Sequence, residues 1–181
     1  MELITNKANA LEAVKQDGYA LQYASEELRN DKDVVLVAVK QNGYALQYAS
    51  EELKNDKEVV LEAVKKDGGS LYYASGELKN DKEVVLEAMR VDGTLCFVSE
   101  ELRNDKEIVL EAIKQDGLAL HHASTELRQD KDCLYMLKDF LIENKDKFPR
   151  EYEILNKYER ADELMRNLDE KEILTKIRKK I

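Results

Sequence analysis

Apolar positions follow one arrangement that returns along most of the chain. In residues 57–65, KEVVLEAVK, five apolar residues leave only Lys57, Glu58, Glu62 and Lys65 for water. The spacing predicts an α-helix. A helix packed on one partner needs an apolar stripe of about 100°, and this surface is wider. We therefore expect such helices to be covered on both sides, as they are inside a stack.

Polar residues mark both ends of each predicted helix. An aspartate precedes it, and Asp is a preferred N-cap because its carboxylate accepts unpaired N–H groups of the first turn. These aspartates are Asp31, Asp56, Asp81, Asp105 and, in a divergent copy, Asp130. A glycine follows, at the position expected for a left-handed C′ residue. These glycines are Gly18, Gly43, Gly68, Gly93 and Gly117.

A second, shorter helix is predicted at about residues 44–53. Ala45, Leu46, Ala49 and Leu53 share one helical face. Ser50 interrupts the pattern, and two alternatives follow from it. Ser50 caps a separate final turn, or the helix continues through it.

The glycines are spaced by 25, 25, 25 and 24 residues. A fixed period of this length is typical of a solenoid. One such unit cannot bury its apolar surface alone, whereas a row of units can. The pattern predicts an all-α fold, an α-solenoid of five two-helix repeats over residues 1–129. Asn9 stands where later repeats carry Val or Ile, which is expected at a solvent-facing end of the row.

Residues 130–181 depart from the repeat. A helix beginning at Asp130 has no glycine stop and is expected to continue to about residue 144. Pro149 suits a first helical turn, so one or two helices are predicted after it, at about 150–167 and 170–180. We interpret residues 130–181 as a helical C-terminal cap packed on the array.

The phrase ALQYASEELKNDKEVVLEAVK, residues 45–65, resembles a family of tandem short-helix repeats classed as a domain of unknown function. The resemblance covers about residues 6–144, because several copies match over most of the unit. It implies an array of short helices. It brings no agreed activity and no catalytic residues.

The net charge of the chain indicates which classes of partner it can bind. The net charge is −9. Residues 1–144 hold 18 basic and 29 acidic residues, whereas residues 145–181 hold 11 and 9. An acidic array repels a phosphate backbone, so no direct nucleic-acid binding is expected. The basic ending, residues 176–181, is interpreted as favourable charge at a helix C-terminus.

Other features bear on the compartment. No apolar run of 18 residues predicts a membrane span, and no basic-then-apolar stretch predicts a secretory signal. The two cysteines, Cys96 and Cys133, suit a reducing compartment. We expect a cytoplasmic protein, of the producing cell or of a host.

The sequence offers little for catalysis. His121 and His122 are adjacent, so on a helix they point about 100° apart and cannot share a metal ion. Cys96 occurs in no basic, helix-N-terminal setting that would favour a thiolate. Neighbouring carboxylates such as Glu51 and Glu52 lack the unlike environments that acid–base catalysis needs. We expect no cofactor, no metal and no enzyme; a reaction using His121 or Cys96 is the remote alternative.

Two columns of the repeat vary more than the framework, and both lie on the predicted short helix. The candidate partner-binding residues in these columns are Tyr19, Gln22, Tyr44, Gln47, Tyr72, Cys96 and His121. Tyrosine suits an interface because it joins a large apolar body to a polar tip. For Tyr19, Tyr44 and Tyr72, binding and structural roles stay equally open. A structural ladder between repeats is the preferred interpretation for Tyr23, Tyr48, Tyr73 and Phe97.

The first functional hypothesis is a protein–protein interaction scaffold that holds a protein or peptide on the solenoid surface. The alternative is a small acidic inhibitor that occupies a basic nucleic-acid channel of a nuclease or defence enzyme. The sequence leaves the oligomeric state open.

Overall fold

The computed structural model describes residues 3–93 and 95–178, with side chains to residue 167. The described residues are helical apart from turns and one isolated β-bridge between Ile4 and Ala24. They divide into two compact units, Met1–Leu127 and Arg128–Ile181. The predicted all-α solenoid is confirmed. No helix in the described part of the chain is long and apolar enough to cross a membrane.

Five long helices alternate with short helical turns in the first unit. The α-helices are α1 (Lys7–Gln16), α2 (Glu26–Arg29), α3 (Lys32–Gln41), α4 (Glu51–Lys54), α5 (Lys57–Lys66), α6 (Lys82–Asp92) and α7 (Lys106–Gln115). Each long helix packs on the next in chain order, α1 on α3, α3 on α5, α5 on α6 and α6 on α7. Counted from the residue that caps the long helix, the repeats span 6–30, 31–55, 56–80, 81–104 and 105–129.

The long helices are covered on both sides, as their wide apolar surface predicts. In α3, Val34, Val35, Ala38 and Val39 are fully buried. In α1, at the end of the row, Asn9 is exposed where Val34 is buried one repeat later. A polar residue therefore faces water on the side of α1 that no helix of the described residues covers.

Aspartate N-caps begin the long helices after α1. Asp31 accepts hydrogen bonds from the backbone N–H groups of Asp33 and Val34. Asp56, Asp81 and Asp105 make the same pair of bonds, and Asn6 caps α1. These predicted helix starts are confirmed.

The predicted second helix is two separate elements. Residues Gly43–Tyr48 form a 3-10 helix, Ala49 has extended backbone, and Ser50 then caps α4 by accepting the N–H of Leu53. Ser50 therefore begins a separate turn, which was one of the two alternatives. The corresponding 3-10 helices are Gly18–Tyr23, Gly68–Tyr73, Leu95–Phe97 and Gly117–His122. In the last three repeats the final turn is also 3-10: Leu78–Asn80, Leu102–Asn104 and Leu127–Gln129.

Most repeat glycines serve a different purpose from the predicted one, but Gly93 confirms the prediction, because it ends α6 in the left-handed conformation. Among the described glycines only Gly93 has a positive φ, of 69°. A Cβ at Gly43 would lie 2.4 Å from the carbonyl oxygen of Ala63, in the next long helix. The left-handed C′ prediction is therefore wrong for Gly43, which is needed because neighbouring repeats approach closely there.

Polar contacts at fixed positions tie each repeat to the next. Lys32 Nζ lies 2.7 Å from Asp56 and 2.8 Å from Glu58, across the gap between α3 and α5. Equivalent pairs are made by Lys7, Lys57 and Lys82. At the other end of the repeat, the N–H of Ser50 donates to the carbonyl of Arg29.

The second unit contains α8 (Lys131–Met136), α9 (Lys138–Glu143) and α10 (Pro149–Arg178). The helix predicted from Asp130 to about residue 144 is broken at Leu137, so that part of the prediction is wrong. After Pro149 the chain forms one continuous helix, α10, so of the one or two helices predicted there the single helix is observed. It packs on α8 and α9 over a core that includes Leu141, Phe148 and Leu155.

The buried carboxylate of Glu151 accepts hydrogen bonds from the guanidinium of Arg128 within the second unit. The packing of this unit on the array as a cap stays a prediction.

Candidate functional site

The candidate residues all lie on the 3-10 helices of the first unit. These helices contact one another in chain order, just as the long helices do. The candidates therefore form a row with one or two members in each repeat: Tyr19 and Gln22, Tyr44 and Gln47, Tyr72, Cys96, and His121.

Aromatic rings connect this row from one repeat to the next. Tyr19 meets Tyr48 at 6.2 Å between ring centroids, and Tyr44 meets Tyr73 at 6.4 Å, both edge-to-face. Such a pair contributes about 0.5–1.5 kcal/mol beyond its area burial. We call the six rings of these contacts between repeats the tyrosine strip: Tyr19, Tyr44, Tyr48, Tyr72, Tyr73 and Phe97.

Repeat three continues the tyrosine strip through a different position. Gly69 replaces the tyrosine of the first column, and Tyr72 replaces the glutamine of the second. Tyr72 contacts Phe97 of the next repeat at 5.0 Å and Tyr73 of its own at 5.0 Å. The ring lost at Gly69 is thus replaced by one nearby, and the sequence of inter-repeat contacts is kept.

The strip tyrosines combine a fixed contact with an accessible surface. Tyr44 is 37% exposed and Tyr72 54% exposed, although each ring is held by a ring of the following repeat. The structural role is therefore present for both. Their exposed faces remain open to another molecule.

The environment of Tyr44 is acidic on one side. A Cβ at Gly69 would lie 2.5 Å from the Tyr44 hydroxyl oxygen and 3.5 Å from a carboxylate oxygen of Asp92. Burial raises the pKa of the Tyr44 phenol, and the charges of Asp92 and Asp67 raise it further. The hydroxyl therefore stays protonated at neutral pH and can donate a hydrogen bond.

The two glutamines differ in how they are used. Gln22 is exposed, whereas Gln47 is half-buried and its side-chain amide donates to the Tyr44 carbonyl at 3.1 Å. Gln47 and Tyr48 also line a shallow depression with two acidic residues, Glu26 and Glu51, and two basic residues, Arg29 and Lys54. The side of the strip where the 3-10 helices end is therefore bordered by carboxylates and by basic side chains, and one carboxylate, that of Glu51, pairs with Lys54.

The remaining candidates are exposed. Cys96 lies on the short 3-10 helix Leu95–Phe97, and His121 and His122 end the helix Gly117–His122. Among the described residues, no group of three or more His, Cys, Asp or Glu is placed to hold a metal ion. That the chain is no enzyme stays a prediction.

A polar cluster in the second unit has no counterpart in the repeat pattern. The Tyr135 hydroxyl donates to Asp162 at 2.7 Å, and Lys131 reaches the other oxygen of that carboxylate at 2.8 Å. The bond to Asp162 raises the pKa of Tyr135 to about 12. The cluster fastens α10 to α8, and nothing in the sequence signalled it because its members are distant and unrepeated.

Comparison with known proteins now bears on the repeat. The model of the family described as Domain of unknown function (DUF4116) matches residues 6–54, 56–103 and 93–128, more than half of the chain. The chain belongs to this family. The DUF4116 matches end at Arg128, earlier than the predicted limit of about residue 144, and leave out almost all of the second unit. Neither a curated protein nor a solved structure matches the chain.

Proposed function

We propose that this DUF4116 chain is a protein–protein interaction scaffold, without catalysis, that holds a protein or peptide along the tyrosine strip. The observation that carries the proposal is the combination of anchoring and exposure at Tyr44 and Tyr72. We place this function in the cytoplasm of the producing cell or of a host, because the sequence has only two cysteines.

Anchored rings suit binding for an energetic reason. Association costs about 0.5–1.5 kcal/mol for each flexible side chain that must be ordered. A tyrosine already held against Tyr73 or Phe97 loses less freedom when a partner covers it. Repetition then offers similar contacts at successive steps, which suits an extended partner.

Affinity capture from the producing cell tests this surface. The full chain is compared with a variant carrying Tyr44→Leu and Tyr72→Leu, which removes both rings but keeps apolar volume. Loss of interface hot spots costs about 2 kcal/mol or more, so we expect at least about tenfold less of a stoichiometric partner.

The matched control removes exposed apolar groups elsewhere, through Met136→Ala and Leu164→Ala in the second unit. It should capture as much partner as the unchanged chain. Thermal unfolding establishes that each variant is folded. Equal capture by the tyrosine variant and the unchanged chain would remove the tyrosine strip as the binding surface.

The acidic inhibitor is a second candidate function, and the acid excess of residues 1–144 favours it. Association would then depend on charge, so it should weaken steeply as salt rises. A captured basic nucleic-acid enzyme, lost at high salt but indifferent to the tyrosine variant, would favour inhibition. Salt-independent capture would exclude it.

A further inference from the structure

The chain places one of its own cations on the tyrosine strip. The ammonium of Lys79 lies 5.3 Å from the centroid of the Tyr72 ring. An aromatic face attracts a cation at this distance through its quadrupole. This face of the Tyr72 ring therefore suits a positive group, and in the free chain Lys79 occupies it.

Comparison with repeat two explains why Lys79 lies there. Lys54, at the same position, pairs with Glu51 at 2.7 Å. In repeat three the place of Glu51 is taken by Gly76. Without that carboxylate, the lysine contacts the tyrosine ring instead.

Acidic side chains border the strip at both ends of the 3-10 helices. The segments that run from the residue before each glycine to the basic residue of the final turn contain twelve acidic and five basic residues. They are residues 17–29, 42–54, 67–79, 92–103 and 116–128. Near Tyr44 the carboxylates are those of Asp67 and Asp92. Beside Tyr48 they are those of Glu26 and Glu51, in a depression that Arg29 and Lys54 also line.

We propose that the partner presents a basic, arginine-containing segment whose cationic side chains stack on the tyrosine strip while the bordering carboxylates balance their charge. The inference rests on the proposed function and names the partner's chemistry. Arginine fits better than lysine because its planar guanidinium stacks on a ring and also bonds carboxylates.

The distance between repeats predicts how far apart the arginines of the partner segment lie. Packed helices lie about 8–10 Å apart, so successive repeats offer rings at about that interval. A polyproline II segment rises about 3.1 Å per residue with three residues per turn, or about 9 Å per turn. Arginine at every third residue would therefore meet one repeat after another from the same side.

Fluorescence anisotropy of labelled peptides with the full chain tests the proposal. The first peptide repeats Arg-Pro-Ser, the second has the same composition with its arginines in one block, and the third carries Gln for Arg. We expect the first to bind most tightly and the third at least about tenfold more weakly. Equal affinity for the first and second peptides would show that the arginine spacing does not matter. Equal affinity for the first and third peptides would show that the strip has no preference for a cation.

Protein variants separate the strip from general charge attraction. Tyr44→Leu with Tyr72→Leu should lower the affinity for the first peptide about tenfold. Glu26→Gln with Glu51→Gln should lower this affinity severalfold. Glu143→Gln with Glu163→Gln in the second unit makes the same change in net charge and should leave affinity within about twofold. If both charge variants weaken binding equally, or the tyrosine variant has no effect, the proposal fails.

Removal of Lys79 should strengthen binding, because the peptide then no longer competes for the Tyr72 face. Lys79→Met should tighten the first peptide about threefold, whereas the charge-matched Lys145→Met in the second unit should change affinity little. Equal effects of the two substitutions would contradict a cation site on Tyr72.

The outcomes also separate this inference from the proposed function. If cellular capture depends on Tyr44 and Tyr72 but no arginine peptide binds, the basic segment is wrong and the scaffold stands. If capture is also independent of these tyrosines, both are wrong.

Discussion

At the scale of single residues, repeat three differs from its neighbours within one small region. Gly69, Ser70, Tyr72 and Gly76 replace residues that repeat two has as Tyr44, Ala45, Gln47 and Glu51. The changes at Gly69 and Tyr72 move an aromatic ring from one position to the other. The change at Gly76 removes a carboxylate, and Lys79 contacts the ring of Tyr72 instead. Repeat three is therefore where the strip is most exposed and where a cation of the chain itself already lies on a ring.

Ser70 is a buried hydroxyl whose removal should stabilise the chain. It is fully buried, and its Oγ has no hydrogen-bond partner among the described residues. An unsatisfied buried polar group costs about 1–3 kcal/mol. Ser70→Ala should raise the free energy of unfolding in urea by about 1 kcal/mol.

The reverse substitution, Ala45→Ser, places a hydroxyl at the equivalent fully buried position of repeat two. It should lower the free energy of unfolding by a similar amount. If Ser70→Ala instead destabilises the chain, the Ser70 hydroxyl has a partner and the explanation is wrong.

Two glycines should respond in opposite ways to alanine. A Cβ at Gly43 would meet the Ala63 carbonyl oxygen at 2.4 Å, whereas a Cβ at Gly76 would meet nothing within 4 Å. Overpacking costs about 1–3 kcal/mol or more, so Gly43→Ala should lower the melting temperature. Gly76→Ala should raise stability by about 0.4–1 kcal/mol by restricting the unfolded chain. Equal effects of the two would show that the repeats do not approach closely at Gly43.

The role of a residue could be predicted from the sequence where its partner atoms lie within a few residues along the chain. The aspartate caps were found because Asp31 bonds the N–H groups of Asp33 and Val34 nearby. The role of Gly43 was missed because the atom that excludes a side chain, the Ala63 carbonyl oxygen, belongs to the next repeat.

At the scale of elements, each capping aspartate acts in two directions. Asp81 caps α6 through the N–H groups of Glu83 and Val84, and it also accepts from Lys57 of the preceding helix. One carboxylate therefore both starts a helix and joins it to its neighbour.

This double role predicts a loss of stability in acid. The Lys57 ammonium lowers the pKa of Asp81, burial opposes this, and the N–H of Val84 lowers the pKa further. At Asp56 burial raises the pKa, but bonds from Lys32 and Val59 outweigh it and the net shift is downward. A lowered folded pKa means that the unfolded state binds more protons. The stabilisation is therefore full above the usual aspartate pKa of about 3.9 and is lost as pH falls through the folded values.

Urea unfolding between about pH 5 and pH 3 measures this loss. Asp81→Asn keeps the cap but removes the charge, so stability should fall less steeply with acidity. Asp139→Asn, at an exposed residue of the second unit, is the control and should keep the original slope. Identical slopes for both variants would contradict the role of the Asp81 charge.

The short elements were the least predictable. Ala45 and Leu46 fit an α-helix as well as the observed 3-10 helix, because both place these side chains toward the core. The choice depends on Gly43 and on Ser50, whose N–H bonds the Arg29 carbonyl one repeat earlier.

At the scale of the whole molecule, the fold follows from repetition in the first unit. A period of about 25 residues predicted the DUF4116 array correctly because every repeat packs on its sequence neighbours. The second unit has no such period. Its break at Leu137 and its Tyr135–Asp162 bond depend on contacts that occur once, so no pattern predicted them.

Hydrogen–deuterium exchange of the full chain, alone and with its captured partner, tests the central claim most directly. The partner should slow exchange in the 3-10 helices that carry the strip, Gly18–Tyr23, Gly43–Tyr48, Gly68–Tyr73 and Leu95–Phe97. Exchange elsewhere in the chain should change little. Slowing that is confined to α8, α9 and α10, with the 3-10 helices unaffected, would contradict binding at the tyrosine strip.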